Sequence, residues 1–440
     1  MAHYVPHTDA EIAEMLAFLG LSSPEELFAA VPASLRLAGG LDLPPGLAEP
    51  DVLARMEAYA AANRWGAGLV CFAGGGAYDH DVPAAVRHLA GRAEFVTAYT
   101  PYQPEVAQGV LQALFEYQTL VCRLTGMEVA NASLYDGATA CVEGINLAVA
   151  AAGDDRVVVS AGLNPNWRAV VRTLAAGTGH RVEEAPLADG LTVWPDGGRA
   201  GAVVVQYPNY LGCLEDLGAA RAAADRLGAL LVVAFDPVAA GLLRPPGARG
   251  ADVVVGEGQP FGTPLSFGGP YLGLFATRLA HVRRLPGRLV GETVDGAGRR
   301  AYVTTLRARE QDIRREKASS NVCTNQTLVA IAFAIQVAWL GTQGLRELAL
   351  RCARGTRYAR EALCALDGVV PHNPAPVLRE FALRLPVDAA VVVERMAEEG
   401  FLAGIPLGDE YGGGLLVAVT ERRTRAEIDA YVAALDKVIR

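Results

Sequence analysis

AVVVQYPNYLGCLEDLGAARAAADRLGALLVVAFDP, residues 202–237, sets two β-branched runs around one helical stretch. Ala202–Gln206 and Leu230–Ala234 are short and almost wholly apolar. They lack the alternation of a half-exposed strand and read as strands buried on both faces. Between them Glu215–Leu227 reads as a crossover helix. Two further runs, Arg156–Ser160 and Asp252–Val255, repeat the pattern, with a second crossover helix at Asn166–Ala176. Alternation of this kind predicts an α/β fold, a mostly parallel sheet with helices on both faces. Ligands of such sheets bind beyond the carboxyl ends of the strands. Those ends carry Tyr207-Pro208-Asn209, Asp236-Pro237 and the run from Gly256 to Thr263.

Upstream, Thr8-Asp9-Ala10-Glu11 is a capping box, in which hydroxyl and carboxylate each satisfy an unpaired backbone amide. The helix it opens stops near Gly20, and Ser23-Pro24-Glu25-Glu26 predicts a second helix start. The proline-rich stretch from Leu41 to Pro50 reads as a linker or surface loop. Downstream, a strongly apolar helix from Asn325 to about Leu340 reads as a buried connector. Phe381–Leu385, a helix from Asp388 to Glu399, Leu415–Thr420 and a closing helix boxed by Thr424 and Glu427 then predict a smaller α+β domain. The expected organisation is a helical N-terminal extension (1–60), a large α/β domain (61–330), and a connector helix with a small C-terminal α+β domain (331–440).

The 440 residues are 51% hydrophobic and 20% charged, enough to bury a sizeable core in two or three domains. The net charge of −9 is spread along the chain, which argues against nucleic acid or an anionic membrane as partner. No basic segment followed by an apolar run opens the chain, and no stretch of about 18 uncharged apolar residues is read, so neither a signal nor a membrane span is expected. The 7 cysteines are scattered without a CxxC pair, which predicts reduced thiols and a cytoplasmic location. The histidines form no ligand pattern with them, so no metal site is expected. No GxSxG or Walker sequence occurs. Of 39 basic residues only Lys317 and Lys437 are lysines, which shortens the search for a catalytic amine.

Four segments carry candidate chemistry. CFAGGGAYDHDVP (71–83) has a glycine triplet that permits close backbone approach to a ligand, or simply a tight turn. TAYTPYQPEVAQG (97–109) presents Tyr99, Tyr102 and Gln103 between stiffening prolines, or is a helix entry with surface aromatics. TLRAREQDIRREKASSNVCTNQ (305–326) sets Arg307, Arg309, Arg314, Arg315 and Lys317 before a polar run, which is either an anion site or a solvated basic face. In YDGATACVEG (135–144) a helix start could bind phosphate through its free amides. Asp136, however, sits where an N-cap would, and its carboxylate predicts a structural cap.

GGGAYDH, TAYTPYQPEVAQG followed by LQALFEYQTLVCRLTGMEVANASLYDGATA, and REQDIRREKASSNVCTNQ together resemble the glycine decarboxylase P-protein family. They are most similar to the amino-terminal, or α, subunit (subunit 1) of its two-chain form. The likeness runs from HYVPHT to the C-terminal domain. It implies a fold-type-I pyridoxal-phosphate (PLP) architecture and decarboxylation of glycine on PLP, with aminomethyl transfer to the lipoyl group of H-protein. Matching the TP and GGP elements of GEGQPFGTPLSFGGP places Gln259 where the family's PLP lysine stands, and glutamine cannot form an imine. Asp236 matches the aspartate that holds the pyridine nitrogen. The resemblance therefore implies that a homologous partner subunit binds PLP covalently, with two of each chain (α2β2). It also implies that Ser319, Ser320, Asn321 and Thr324 reach the partner's cofactor, with Arg314 or Lys317 nearby. Tyr99, Tyr102 and Gln103 would line the glycine or lipoyl channel. The chain departs from REQHIRREKATSN by Asp312 for histidine and Ser319 for threonine, so a role at 312 is not carried over. Two other readings stay open: a noncatalytic scaffold, and an autonomous PLP enzyme using Lys317.

Overall fold

The computed structural model describes residues 6–37, 39, 41–64, 68–97 and 100–440. It divides into two compact units, Met1–Arg64 and Trp65–Arg440. In the first, Glu11 N donates to Thr8 Oγ1 at 3.3 Å and Thr8 N to Glu11 Oε2 at 2.7 Å, closing the expected box on the helix Asp9–Leu19. Ser23 holds the N-cap position without a side-chain cap bond and opens only a 3-10 turn, Pro24–Phe28, while the Ser22 amide donates to Glu26 at 2.9 Å. A five-residue turn is what remains when no apolar face follows to reward a longer helix. The proline-rich stretch runs directly into an unanticipated helix, Glu49–Ala61, with Pro50 in its first turn.

The second unit is built on a seven-stranded sheet. Its strands are β1 (Val129–Ala130), β2 (Arg156–Ser160), β3 (Arg181–Ala185), β4 (Ala202–Tyr207), β5 (Leu230–Phe235), β6 (Val253–Glu257) and β7 (Gly273–Thr277). Across the sheet they run β1-β7-β6-β5-β4-β2-β3. The pairs from β6 to β3 are all parallel, and β7 alone runs antiparallel to both its neighbours, β6 and β1. Sequence reading found the four central strands and missed three toward the edges. RVEEA in β3 carries charges because it is an edge strand, and β1 is too short to show a period.

Successive residues of the central strands sort to opposite faces. Val158, Val203, Val205, Leu231, Val233 and Val254 enter one core with Leu111, Leu114 and Tyr117 of the helix Gln108–Thr125. Val157, Val159, Val204, Val232, Val253 and Val255 enter the other with Ile145 of the helix Gly137–Ala152 and Val171 of the helix Pro165–Thr178. Each buried valine contributes roughly 1.5–3 kcal/mol, which is why an unbroken valine run forms a strand covered on both faces. Both crossover helices carry side-chain caps. Asn164 accepts from Asn166 N, and Asp216 accepts from Gly218 N and Ala219 N.

A further core lies around a four-stranded antiparallel sheet of Val370–Pro371, Glu380–Arg384, Leu415–Ala418 and Ile405–Pro406. Phe381, Val417, Val392, Met396, Tyr431 and Leu435 fill it. Val70–Cys71 pairs parallel to Phe401–Leu402, which brings Phe72 into this core, stacked on Tyr431 at 4.2 Å. The connector helix is longer than its apolar run suggests, spanning Thr327–Leu363 with non-helical dihedrals at Gly341 (φ 58°, ψ −173°). Its first part buries Ile331 and Phe333 in the large core, and its last part buries Ala359 and Leu363 in the small one. By length and composition alone this helix is apolar enough to cross a membrane, contrary to the reading that no such segment exists.

Candidate functional site

The carboxyl ends of β4, β5 and β6 converge on Gln206, Asp236 and Glu257. They bound a cavity of about 50 Å³ whose wall includes Tyr78, Trp167 and Arg379. An engineered cavity that admits benzene measures about 150 Å³, so this space is small for an aromatic ring. It adjoins a larger pocket of about 370 Å³ toward Asp136, Tyr210 and Tyr271.

Internal bonds take up the groups around this cavity. Gln259 is 1% exposed. Its Oε1 accepts from Tyr78 N at 3.0 Å, and its Nε2 donates to Tyr78 O at 3.1 Å and Thr263 O at 2.9 Å. The amide thus staples the glycine-rich loop to the end of β6. Asp236 accepts from Val238 N at 3.0 Å and pairs with Arg379 Nη2 at 2.7 Å. The Arg379 guanidinium lies 3.5 Å from the centroid of the Tyr78 ring. Burial opposes its charge more than any single neighbour favours it, yet Asp236, Tyr78, Cys352 and Glu380 together outweigh burial and hold its pKa above the ordinary guanidinium value. The neighbouring Glu380 accepts from Gly75 N at 2.6 Å and from the Tyr78 hydroxyl at 2.9 Å. Burial pushes its carboxyl up to about 7 against those donors. A Cβ on Gly74 would run into this carboxylate, which is the close approach the glycine triplet serves.

The start of the helix Gly137–Ala152 is equally occupied. Asp136 caps it as expected, accepting from Thr139 N at 2.7 Å, while Glu257 accepts from Gly137 N at 2.9 Å. Glu257 also accepts from Gln259 N and Leu272 N, and burial pushes it up to about 7. Two carboxylates therefore hold the amides that an external anion would need.

The fold gathers His80, Cys352 and Glu421, with ligand atoms within 4.8 Å of one another, a grouping that linear spacing did not predict. His80 Nδ1 lies 2.6 Å from Glu421 Oε2, and Arg379 Nη1 lies on His80 Nε2. A guanidinium can only donate, so Nε2 accepts and the open side of the cluster faces a fixed positive charge.

A second arrangement joins the other two motifs. Arg288 Nη2 donates to the Tyr102 hydroxyl at 2.9 Å and to Cys323 O at 2.7 Å. Its Nη1 donates to Asn325 Oδ1 at 3.4 Å. Asn325 Nδ2 continues to Ala132 O at 2.9 Å and Ser133 Oγ at 3.2 Å, and Cys323 N donates to the Tyr135 hydroxyl at 3.2 Å. Ser133 holds φ at 112°, a value side chains rarely adopt. The structure thus brings Tyr102 and the run 320–325 onto one framework. Ser319 and Asn321 are exposed, Ser320 and Thr324 half-buried. Ser320 Oγ accepts from Val322 N at 3.1 Å, and burial pushes Glu143 up to about 7 against the opposing influence of Ser320. Gln103 lies beside Tyr102 at the wall of a surface pocket. Arg314 and Lys317 are exposed, Arg314 donating to Ala308 O at 3.1 Å, and Tyr99 lies outside the described residues. Lys317 is not among the groups around the strand-end cavity, and Lys437 pairs with Glu399 at 2.5 Å.

Sequence reasoning missed Arg288, Arg379, Glu257 and Glu380. Glu257 had a signal, a carboxylate at the end of an otherwise apolar strand. Arg288, Arg379 and Glu380 had none, because their partners are distant in sequence.

A profile of the glycine cleavage system P-protein family matches residues 2–435. Proteins named probable glycine dehydrogenase (decarboxylating) subunit 1 align end to end. That of Desulforamulus reducens is 46% identical over 99% of both chains. That of Moorella thermoacetica is 48% identical, again over 99% of both. A solved structure of a glycine decarboxylase (P-protein) in inhibitor-bound form superposes with a TM-score of 0.92 at 48% identity, covering 99% of this chain and 100% of that one. A glutamate decarboxylase of Lactobacillus brevis superposes at 0.67 with 14% identity over 94% of this chain and 97% of that one. At that distance the likeness shows the fold alone, the fold-type-I α/β architecture expected from sequence.

Proposed function

The chain belongs to the glycine cleavage system P-protein family, and from that premise we propose that it is the half of a two-chain glycine dehydrogenase (decarboxylating) that does not itself hold PLP. One observation carries this reading. Gln259 stands at the end of β6 as a buried amide with its hydrogen-bonding capacity spent on Tyr78 and Thr263. The rest of the site agrees. Asp236 is paired with Arg379 rather than free for a pyridine nitrogen, and the amides of Gly137 and Thr139 already serve carboxylates. The residues present do not fit a bound PLP.

PLP held by a homologous lysine-bearing chain supplies the electron sink for loss of CO2 from glycine, before the aminomethyl group passes to lipoylated H-protein. This chain's share is a surface. Ser319, Ser320, Asn321 and Thr324 supply donors beside that cofactor, with Arg314 or Lys317 adding positive charge and Tyr102 and Gln103 lining the approach. Phe267 supports a partner face: it is 98% exposed at φ 48°, a large apolar side chain held outward on a strained backbone. Two of each chain make the expected assembly.

The test mixes the chain with a lysine-bearing homologue and follows CO2 release from labelled glycine. Activity is expected only in the mixture. Asn321→Ala and Thr324→Ala are each expected to lower turnover about tenfold or more, the worth of a donor to a charged group. Unchanged turnover in an intact assembly identifies a scaffold instead. CO2 release by the isolated chain with added PLP sinks the proposal.

A further inference from the structure

Arg288 is a buried cation that the reading above does not use. It follows the turn Leu285-Pro286-Gly287 and is 5% exposed. A guanidinium carries five N–H donors. Arg288 spends three, on the Tyr102 hydroxyl, Cys323 O and Asn325 Oδ1, and its Cζ lies 5.1 Å from the centroid of the Tyr102 ring. No carboxylate pairs with it among the described residues, and none of the residues not described is Asp or Glu. A buried cation is ordinarily kept by an adjacent carboxylate. Here a carbonyl, an amide oxygen, a phenol and an aromatic face keep it, and its charge stays uncancelled.

We propose that Arg288 is a positioning residue of the composite active site, acting through Tyr102 and through Cys323–Asn325. This rests on the function proposed above. By donating to the phenol oxygen, Arg288 engages a lone pair and leaves the Tyr102 O–H as a donor on its exposed side. By donating to Cys323 O, it fixes the loop that carries Asn321 and Thr324. Asn325 passes the constraint to Ser133 and Ala132, so that the loop rests on the large sheet's own framework. The uncancelled charge makes the whole surface receptive to an anionic group. A glycine carboxylate and a cofactor phosphate share that chemistry.

The experiment uses the assembled two-chain enzyme with Arg288→Met, Arg288→Lys, Tyr102→Phe and the Arg288→Met/Tyr102→Phe double variant. Glycine kcat and KM, retention of the partner's cofactor by absorbance, and assembly by size exclusion are measured. R288M is expected to lower kcat/KM about tenfold or more with assembly intact. R288K, which keeps charge but loses the fork, is expected to recover part of that loss. The double variant is expected to be little worse than the poorer single one, because both act on one phenol. A rise in KM with cofactor retained identifies the carboxylate as the anion, and loss of cofactor at unchanged KM identifies the phosphate. R288M within twofold of the parent on every readout, or losses that multiply in the double variant, overturns the proposal. Should R288M fail to assemble, R288K combined with Tyr102→Phe applies the same criterion. Activity lost in N321A and T324A but kept in R288M removes only the role of Arg288. Activity kept in all of them removes the composite site.

Discussion

At position 259 a single side chain separates two chemistries. Lysine there would offer an amine, whereas glutamine offers one acceptor and two donors, and all are matched by Tyr78 and Thr263. A lysine placed there is therefore not expected to confer cofactor binding. In Gln259→Lys the new ammonium would face the Tyr78 amide, a donor, and Asp236 would remain paired with Arg379. Orphaning the buried Tyr78 amide costs about 1–3 kcal/mol, while the Tyr78 and Thr263 carbonyls can still accept from the ammonium. The isolated variant mixed with PLP should show no visible imine band and a lowered urea midpoint. An imine band would mean that the pocket is less committed than its bonds imply. The matching of Gln259 to the family's lysine is a reading of the sequence, made through the flanking TP and GGP. The three bonds were not legible there, since Tyr78 lies 181 residues away.

Among the elements, the connector helix departs furthest from its sequence reading. Its apolar run ends near Leu340, yet the helix resumes beyond Gly341 and reaches Leu363 because a second core awaits it. Gly341 adopts φ 58° and ψ −173°, a region open essentially to glycine, and nothing lies within 4 Å of where its Cβ would be. Gly341→Val should thus cost about 1–3 kcal/mol through backbone strain alone. The denaturant midpoint is expected to fall, and an unchanged midpoint would show that the two helical parts straighten without penalty. The central strands were readable because burial on both faces demands unbroken valine runs. Strand β3 was not, because an edge strand tolerates the charges of RVEEA. Ser23 misled for a related reason: a favourable cap residue does not make a helix without a face to bury.

Over the whole molecule, buried carboxyls make stability depend on pH in a direction opposite to that of paired surface acids. Burial pushes Glu257 and Glu380 up to about 7, whereas an unfolded glutamate titrates near ~4.3. Between those values the folded chain retains protons that the unfolded chain has released. The stabilisation is complete below the unfolded value and is lost as pH rises through about 7, on the order of 3 kcal/mol for each group. The urea midpoint should fall between about pH 5 and pH 8, and Glu380→Gln, which cannot ionise, should flatten that fall. An equal slope in the variant would exclude Glu380 as a source. The sequence by itself determined the layered sheet and the confinement of lysine to positions 317 and 437, because hydrophobic period and covalent capacity are local properties. Only the tertiary structure decided that Arg379 meets Asp236, that Glu257 and Asp136 share a helix start, and that Arg288 ties Tyr102 to Cys323. Those contacts join segments whose separation along the chain carries no periodic signal, and they arise only when the packed cores bring the segments together.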